Sequence, residues 1–185
     1  AALYQLKPSP TPTDQQRVIE HCLRSLRLAP TYWRPYARLV DAYLALKKPA
    51  ELQTYLAQSL KQSPQNPAVH YGLGYFAKVS GKFDEGLAAL NEAHRLAPDF
   101  LEAWHEKGAI LLRIGNGPSA QRALALGQQY LQSAQTQADV EQQSKALKII
   151  GLAQSQLSQV PAAITAYQQG LQLAETTGDL LLQDY

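Results

Sequence analysis

Short segments with a similar apolar pattern recur along this chain at a fixed spacing. Pro30, Pro64 and Pro98 are each separated by 34 residues, and they end the similar phrases SLRLAP, SLKQSP and AHRLAP. Each phrase reads as the end of a helix, because proline cannot continue the helical hydrogen-bond ladder. Successive prolines leave room for two helices of about 13–15 residues and two short turns. The pattern therefore predicts a series of helix hairpins.

Small residues recur at the same interval inside the predicted hairpins. Gly74 and Gly108 are 34 residues apart, as are Gly81 and Gly115. Glycine within a helix costs roughly 1 kcal/mol relative to alanine. We expect Gly74, Gly108 and Gly151 to offset that cost by letting a neighbouring helix come close. Gly81 and Gly115 lie where a first helix should end, and the left-handed cap there favours glycine.

The spacing changes once, in a stretch rich in Gln and Ala. About nine extra residues lie within 135–143, where the chain has neither proline nor glycine. We interpret them as lengthening the two flanking helices, with a turn near Gln137 to Asp139.

The residues that recur every 34 positions resemble the signature of the tetratricopeptide repeat (TPR) family. That signature is Trp-x2-Leu-Gly-x2-Tyr, then Ala-x3-Phe, then Pro. The unit 67–100 shows the match most clearly. Its matching residues are His70, Leu73, Gly74, Ala77, Gly86, Leu90, Ala93 and Pro98. The resemblance implies an all-α fold, a right-handed superhelix of antiparallel helix hairpins. The rival of similar period is the pentatricopeptide family, which reads RNA; the Gly, Ala and Pro columns favour the TPR family.

The resemblance covers residues 14 to 185 as four full repeats with a half repeat at each end. The predicted segments are a Pro-rich extension 1–13, a half repeat 14–32, repeats 33–66, 67–100 and 101–134, an insertion 135–143, a repeat 144–177 and the start of a further repeat 178–185. An array that ends in half a hairpin exposes an apolar face. We therefore expect a fragment of a longer protein, and we leave open self-association through the terminal hairpins.

Composition and charge narrow the class of protein. The chain is 45% hydrophobic with a net charge of +2, which is typical of a folded domain and not of a disordered one. Residues 1–66 hold nine basic and four acidic side chains, and residues 135–185 hold two basic and five acidic ones. This spread lacks the concentrated basic face of a nucleic-acid binder. No apolar run is long enough to cross a bilayer, so we expect no membrane insertion.

The sequence offers no constellation that indicates catalysis. Cys22 is the single cysteine, and we interpret it as a small core residue. The four histidines share no metal-ligand spacing, and no phosphate-binding or nucleophile motif occurs. Glu102 and Glu106 lie one helical turn apart, which we interpret as a solvated face. We predict no enzymatic activity, no metal and no cofactor.

A binding groove is what the resemblance implies. In this family the first helices of successive repeats line a concave surface that holds a peptide or a partner helix. The register predicts these groove residues: Arg34, Arg38, Asp41, Tyr71, Tyr75, Lys78, Glu102, His105, Arg113, Lys145 and Lys148. Tyr71 and Tyr75, flanked by Arg34 and Lys78, suit a segment with aliphatic and acidic side chains. The alternative is that these two tyrosines cover the core between helices.

These residues and the resemblance point to two functions. The first is a protein–protein interaction scaffold that binds a peptide segment or partner helix in the groove. The second is a regulatory or architectural segment of a larger signalling enzyme or transcription regulator, in contact with its own neighbouring domains. Some relatives grip a C-terminal carboxylate with Lys and Asn, but no Asn is expected to face this groove. The sequence leaves the compartment open, with the cytoplasm favoured over the periplasm.

Overall fold

The structure is a computed structural model, and it describes residues 11–177. Within that range the chain forms nine α-helices and no β-strand. The helices are α1 Pro12–Leu28, α2 Arg34–Ala45, α3 Pro49–Gln62, α4 Pro67–Val79, α5 Phe83–Leu96, α6 Leu101–Ile114, α7 Gly117–Thr136, α8 Val140–Gln156 and α9 Val160–Thr177. The predicted extension ends at residue 13, whereas α1 already begins at Pro12. Residues 1–10 and the predicted further repeat 178–185 lie outside the described residues.

The helices divide into two compact units, with the boundary inside α4 between Gly72 and Leu73. The first unit holds α1 to α3 and the start of α4. The second unit holds the rest of α4 and α5 to α9. None of the helices within 11–177 has the length and apolar character needed to span a bilayer.

The first unit opens with a capped helix. The Thr11 hydroxyl accepts a hydrogen bond from the Asp14 backbone N–H at 3.2 Å, and the Asp14 carboxylate accepts one from the Thr11 N–H at 2.9 Å. This reciprocal pair satisfies N–H groups that the first turn would otherwise leave unpaired. Cys22 is buried in the core of this unit, as the sequence predicts. The Asn66 side chain donates to the Pro30 carbonyl at 2.8 Å and ties two turns together.

Close approach between helices depends on glycine in the second unit. A methyl group added at Gly108 would lie 2.5 Å from Ile149 Cδ1, and one at Gly151 would lie 2.5 Å from the Tyr167 ring. A methyl group at Gly74 would overlap Leu90. These contacts confirm the close approach predicted at all three glycines.

The turns also follow the sequence signals. Gly81 and Gly115 have φ of 76° and 72°, which confirms the predicted left-handed caps. The turn expected near Gln137 to Asp139 lies between the 20-residue α7 and the 17-residue α8. Asp139 caps α8 by accepting a hydrogen bond from the Gln142 N–H at 3.0 Å. The long helix that follows this turn, α8, forms one wall of the candidate functional site.

Candidate functional site

Several open depressions lie within the second unit, and we call the one of about 340 Å³ that is lined by α4, α6 and α8 the inner groove. It is lined by Lys78 of α4, by His105, Ala109, Leu112 and Arg113 of α6, and by Lys148, Ile149 and Leu152 of α8. Its α6 residues recur at spacings of three and four, so they share one face of that helix. Lys148 and Leu152 share a face of α8 for the same reason. The inner groove therefore collects side chains from three helices that are distant in sequence.

The floor of the inner groove is apolar. Ala109, Leu112, Ile149 and Leu152 form it; Ile149 is 2% exposed and Leu152 is 40% exposed. Ile149 reaches this position because Gly108 leaves room for it against α6. A partly exposed leucine above a buried isoleucine gives a surface on which an aliphatic side chain can be buried.

Lys78 enters the groove from α4 with its charge already compensated. Its Nζ lies 2.5 Å from the Glu106 carboxylate, and these side chains are only 15% and 9% exposed. The same Nζ lies 4.3 Å from the centre of the Tyr75 ring, in a cation–π arrangement. The sequence interpretation of Glu106 as part of a solvated face was therefore wrong, because the carboxylate turns inward to pair with a lysine of another helix.

Two other cations lie at the rim. Arg113 and Lys148 are both exposed. The Arg113 guanidinium lies 5.4 Å from the centre of the Phe83 ring, and its Nη1 lies 3.5 Å from the Lys78 carbonyl oxygen. These contacts orient the arginine along the edge of the groove while its charge remains in solvent.

His105 lies among several charged groups. Burial lowers the pKa of the imidazole; the Glu106 carboxylate raises it, and Lys145, Lys78 and Lys148 lower it. Its Nδ1 atom is buried and has no hydrogen-bond partner among the described residues. Because the ordinary histidine pKa of about 6.5 is lowered, His105 is neutral at pH 7 and adds no charge to the inner groove.

Glu102 and Lys145, which were also predicted to face the groove, are held by neighbouring side chains. Glu102 accepts a hydrogen bond from Gln142 Nε2 at 3.2 Å, and Gln142 in turn accepts one from the buried Tyr130 hydroxyl. Lys145 forms an ion pair with Glu141 one turn away on α8. Neither residue lines the inner groove.

The two tyrosines differ. Tyr71 is 2% exposed, and its ring meets Trp33 edge-on with centres 5.3 Å apart. Its placement on an open binding surface is therefore corrected: it matches the alternative that it covers the core between helices. Tyr75 is half-buried and stacks on the Lys78 ammonium group.

The remaining predicted residues belong to the first unit. Arg34 lies 5.5 Å from the centre of the Trp33 ring. Arg38 and Asp41 line a second, smaller depression of about 270 Å³, which we call the α1–α2 depression. Its other lining residues are Asp14, Gln15, Val18 and Ala42. The structure thus brings together four of the predicted side chains, Lys78, His105, Arg113 and Lys148, in the inner groove.

Sequence reasoning missed Ile149 and the role of Glu106. Both depend on contacts with a neighbouring helix. Ile149 lies opposite a glycine, and Glu106 pairs with a lysine. Gly108 was the signal for Ile149, since a helical glycine predicts a large neighbour. No local signal pointed to Glu106, because its partner Lys78 is 28 positions away in sequence.

Solved structures of other proteins share this arrangement of helices. No protein-family profile matches the sequence, and no curated protein matches it either. A crystal structure of the TPR protein MamA matches with a TM-score of 0.65 and 16% identity, over 90% of this chain and 92% of that one. The chain has the tetratricopeptide repeat fold.

A second TPR structure supports the same fold. A double mutant of MamA from RS-1 matches with a TM-score of 0.59 and 21% identity, over 76% of this chain and 74% of that one. These similarities confirm the predicted all-α TPR architecture. In TPR terms, α4, α6 and α8 are the first helices of successive hairpins, and the inner groove lies on their shared side.

Proposed function

We propose that this TPR chain is a protein–protein interaction scaffold that holds a segment of another protein in the inner groove. The observation that carries the proposal is the convergence of three helices on one depression with an apolar floor and cationic rim. Ligand sites typically combine apolar area with a few oriented polar groups. The same combination is what a peptide needs for affinity and for orientation.

The dimensions of the inner groove suit a short extended segment. Packed helices lie about 8–10 Å apart, so three successive first helices span roughly 20 Å. An extended chain rises about 3.3 Å per residue, and about six residues would cross that span. A volume of about 340 Å³ holds a few of their side chains.

The proposed role is non-enzymatic. Between residues 11 and 177, no group of three or more His, Cys, Asp or Glu residues is arranged to hold a metal ion. Within the same range, the Nδ1 atom of His105 has no hydrogen-bond partner that could activate it, and Cys22 is buried in the other unit.

The test is selection of ligands from a phage-displayed library of random twelve-residue peptides on the purified chain. We expect selected peptides to bind Leu152→Asn about tenfold more weakly, because part of a buried leucine surface is lost. Leu28→Asn is the matched control, since Leu28 is 81% exposed on α1 of the other unit. Circular dichroism would verify that both variants remain helical.

Equal binding by Leu152→Asn and by the unmutated chain would contradict the proposal. Failure to select any peptide would do so as well, and would favour the regulatory or architectural segment instead. A Tyr71→Ala variant is unsuitable for this test, because Tyr71 is almost fully buried. Removing such a ring costs about 3–5 kcal/mol of folding stability.

A further inference from the structure

We infer that Lys107 and Arg122, which are grouped with His94 and Trp104 in the second unit, bind a phosphate monoester. We call these four residues the Trp104 cluster. The cluster is separate from the inner groove, because Lys107 lies two positions after His105 on α6 and therefore about 200° further round that helix. The inference goes beyond the proposed function and does not depend on it.

The Trp104 ring is the centre of the cluster. The His94 ring of α5 meets it edge-on, with ring centres 4.4 Å apart. The Lys107 ammonium nitrogen lies 5.5 Å from the centre of the same indole ring. The indole Nε1–H donates a hydrogen bond to the Pro98 carbonyl at 3.2 Å, which fixes the orientation of the ring. Trp104 thus has an imidazole and an ammonium group beside it.

The basic groups of the cluster lack a compensating carboxylate. Arg122 of α7 is exposed and Lys107 is half-buried. Within residues 11–177, neither side chain forms an ion pair or a side-chain hydrogen bond. Burial lowers the pKa of Lys107, and the Arg122 guanidinium lowers it further. Burial and the Lys107 charge likewise lower the pKa of His94. The positive charges of Lys107 and Arg122 therefore lie close enough to oppose each other.

This arrangement differs from that of other cations in the second unit. Four of them pair with a glutamate: Lys78, Lys82, Arg95 and Lys145. Two neighbouring like charges disfavour each other's charged form, so the grouping of Lys107 with Arg122 does not serve folding. Ionisable groups perturbed by burial and by a specific charge are concentrated at functional sites. An anion held between the two side chains would remove their repulsion.

The charges favour a phosphate monoester over a carboxylate. A monoester carries a charge of about −1.5 to −2 at pH 7, which matches the two positive charges of protonated Lys107 and Arg122. A single carboxylate would compensate only one of them. The planar guanidinium can donate two parallel hydrogen bonds to phosphate oxygens, and the lysine ammonium can contact another oxygen as a point charge. A phosphorylated protein side chain and a small phosphorylated molecule both offer this chemistry.

The test is a titration of the nitrogen-15-labelled full chain, followed by nuclear magnetic resonance at about pH 7 and constant ionic strength. The probes are inorganic phosphate, a capped Ala-phosphoserine-Ala tripeptide, the same tripeptide with aspartate in place of phosphoserine, and dimethyl phosphate, which is a diester. We expect phosphate and the phosphoserine tripeptide to shift the Trp104 indole N–H and Arg122 Nε–H resonances saturably. Trp33 is the only other tryptophan of the chain, and its indole resonance should stay unchanged.

The affinities and the variants identify the ligand and the residues that bind it. The phosphoserine tripeptide should bind at least fivefold more tightly than the aspartate tripeptide or dimethyl phosphate. Arg122→Gln and Lys107→Gln should each weaken its binding at least fivefold. Because Arg122 is exposed, its variant tests the inference even if Lys107→Gln disturbs the packing on Trp104. Arg34→Gln is the matched control, since Arg34 also lies over a tryptophan ring; it should change the affinity less than twofold.

The outcomes decide the inference and the source of the phosphate. Tighter binding of the phosphoserine tripeptide than of inorganic phosphate would support the inference and assign the monoester to a protein side chain. The reverse order would support it and assign a small molecule. Equal affinity for the phosphoserine and aspartate tripeptides would overturn it in favour of an acidic segment. Shifts that do not saturate, or an unchanged affinity in both Arg122→Gln and Lys107→Gln, would also overturn it. Peptide selection on the inner groove is unaffected by these results, so the two proposals fail separately.

Discussion

The inner groove and the α1–α2 depression are two surfaces built from the same register of a TPR array, yet they differ in chemistry. The α1–α2 depression is lined by one cation, Arg38, and by two carboxylates, Asp14 and Asp41, together with the apolar residues Val18 and Ala42. The inner groove instead has an apolar floor beneath rim cations, and the Glu106 carboxylate beside it is paired with Lys78. The register selects a face of each helix, but the identity of the facing partners decides whether that face can hold a ligand.

The two surfaces differ first in the contacts that their carboxylates make. In the α1–α2 depression, the Asp14 carboxylate accepts hydrogen bonds from the Thr11 backbone and hydroxyl, so it caps its own helix. In the second unit, Glu106 crosses to another helix and pairs with Lys78. One carboxylate caps its own helix, and the other compensates the charge of a lysine on another helix.

The largest expected effect comes from breaking the Lys78–Glu106 pair. Glu106→Gln should lower the free energy of unfolding by about 3 kcal/mol, because Lys78 would keep a buried charge without its partner. Asp41→Asn in the exposed α1–α2 depression should change it by less than about 0.5 kcal/mol. Urea unfolding followed by circular dichroism measures both.

A rescue variant sharpens this prediction. Lys78→Met combined with Glu106→Leu should recover most of the lost stability, since replacing both members of a buried ion pair with apolar residues is often neutral. If Glu106→Gln and Asp41→Asn lowered the free energy of unfolding equally, the paired Glu106 carboxylate would contribute no more to stability than the exposed Asp41 carboxylate.

A smaller effect is expected where glycine lets Ile149 reach the groove floor. Gly108→Ala should lower the free energy of unfolding by about 1–2 kcal/mol, because the added methyl group would lie 2.5 Å from Ile149 Cδ1. Gly117→Ala is the matched control on α7, where an added methyl group meets no atom within 4 Å. Denaturant midpoints that fall by the same amount in both variants would show that helix approach at Gly108 is not what shapes the floor.

The smallest effect is a difference in pH response between the two surfaces. Burial lowers the pKa of His105 below its usual value of 6.5, so its contribution to stability is present above pH 6.5 and declines as the pH falls through the folded-state pKa. Hydrogen bonds from Thr11 lower the pKa of Asp14 below 3.8, so its contribution is present above pH 3.8 and is lost only in more acidic solution.

Thermal melts between pH 8 and pH 3 would separate these two windows. His105→Gln should flatten the decline below pH 6.5 without abolishing it, because burial also lowers the pKa of His94. Asp14→Asn should alter only the acidic end. A His105→Gln profile identical to that of the unmutated chain would show that His105 does not cause the decline.

The fold could be predicted from sequence because its signals are local and repeated. Prolines and glycines at fixed spacing act through backbone geometry, so Gly81 and Gly115 indicate caps wherever they occur in the array. Gly74, Gly108 and Gly151 likewise indicate close approach. The glycine spacing does not identify which helix each glycine faces. It does allow a larger side chain to be expected opposite each glycine.

The site could be predicted only in part, for a different physical reason. Register places Lys78, His105, Arg113 and Lys148 on inward faces, and the structure brings them together. Register says nothing about pairing across helices, which is why the inward turn of Glu106 was missed. It also treats Tyr71 and Tyr75 alike, although Trp33 packs on the first of them.

The most direct test of the inner groove as the binding surface is methyl-detected nuclear magnetic resonance of the full chain, with its Ile, Leu and Val methyl groups labelled, during titration with a library-selected peptide. The inner groove predicts saturable shifts at Ile149, Leu112 and Leu152, and none at Val18 of the α1–α2 depression. Shifts at Val18 without shifts at the three groove residues would contradict the proposal. They would place the partner on the surface whose charges the structure shows to be mixed.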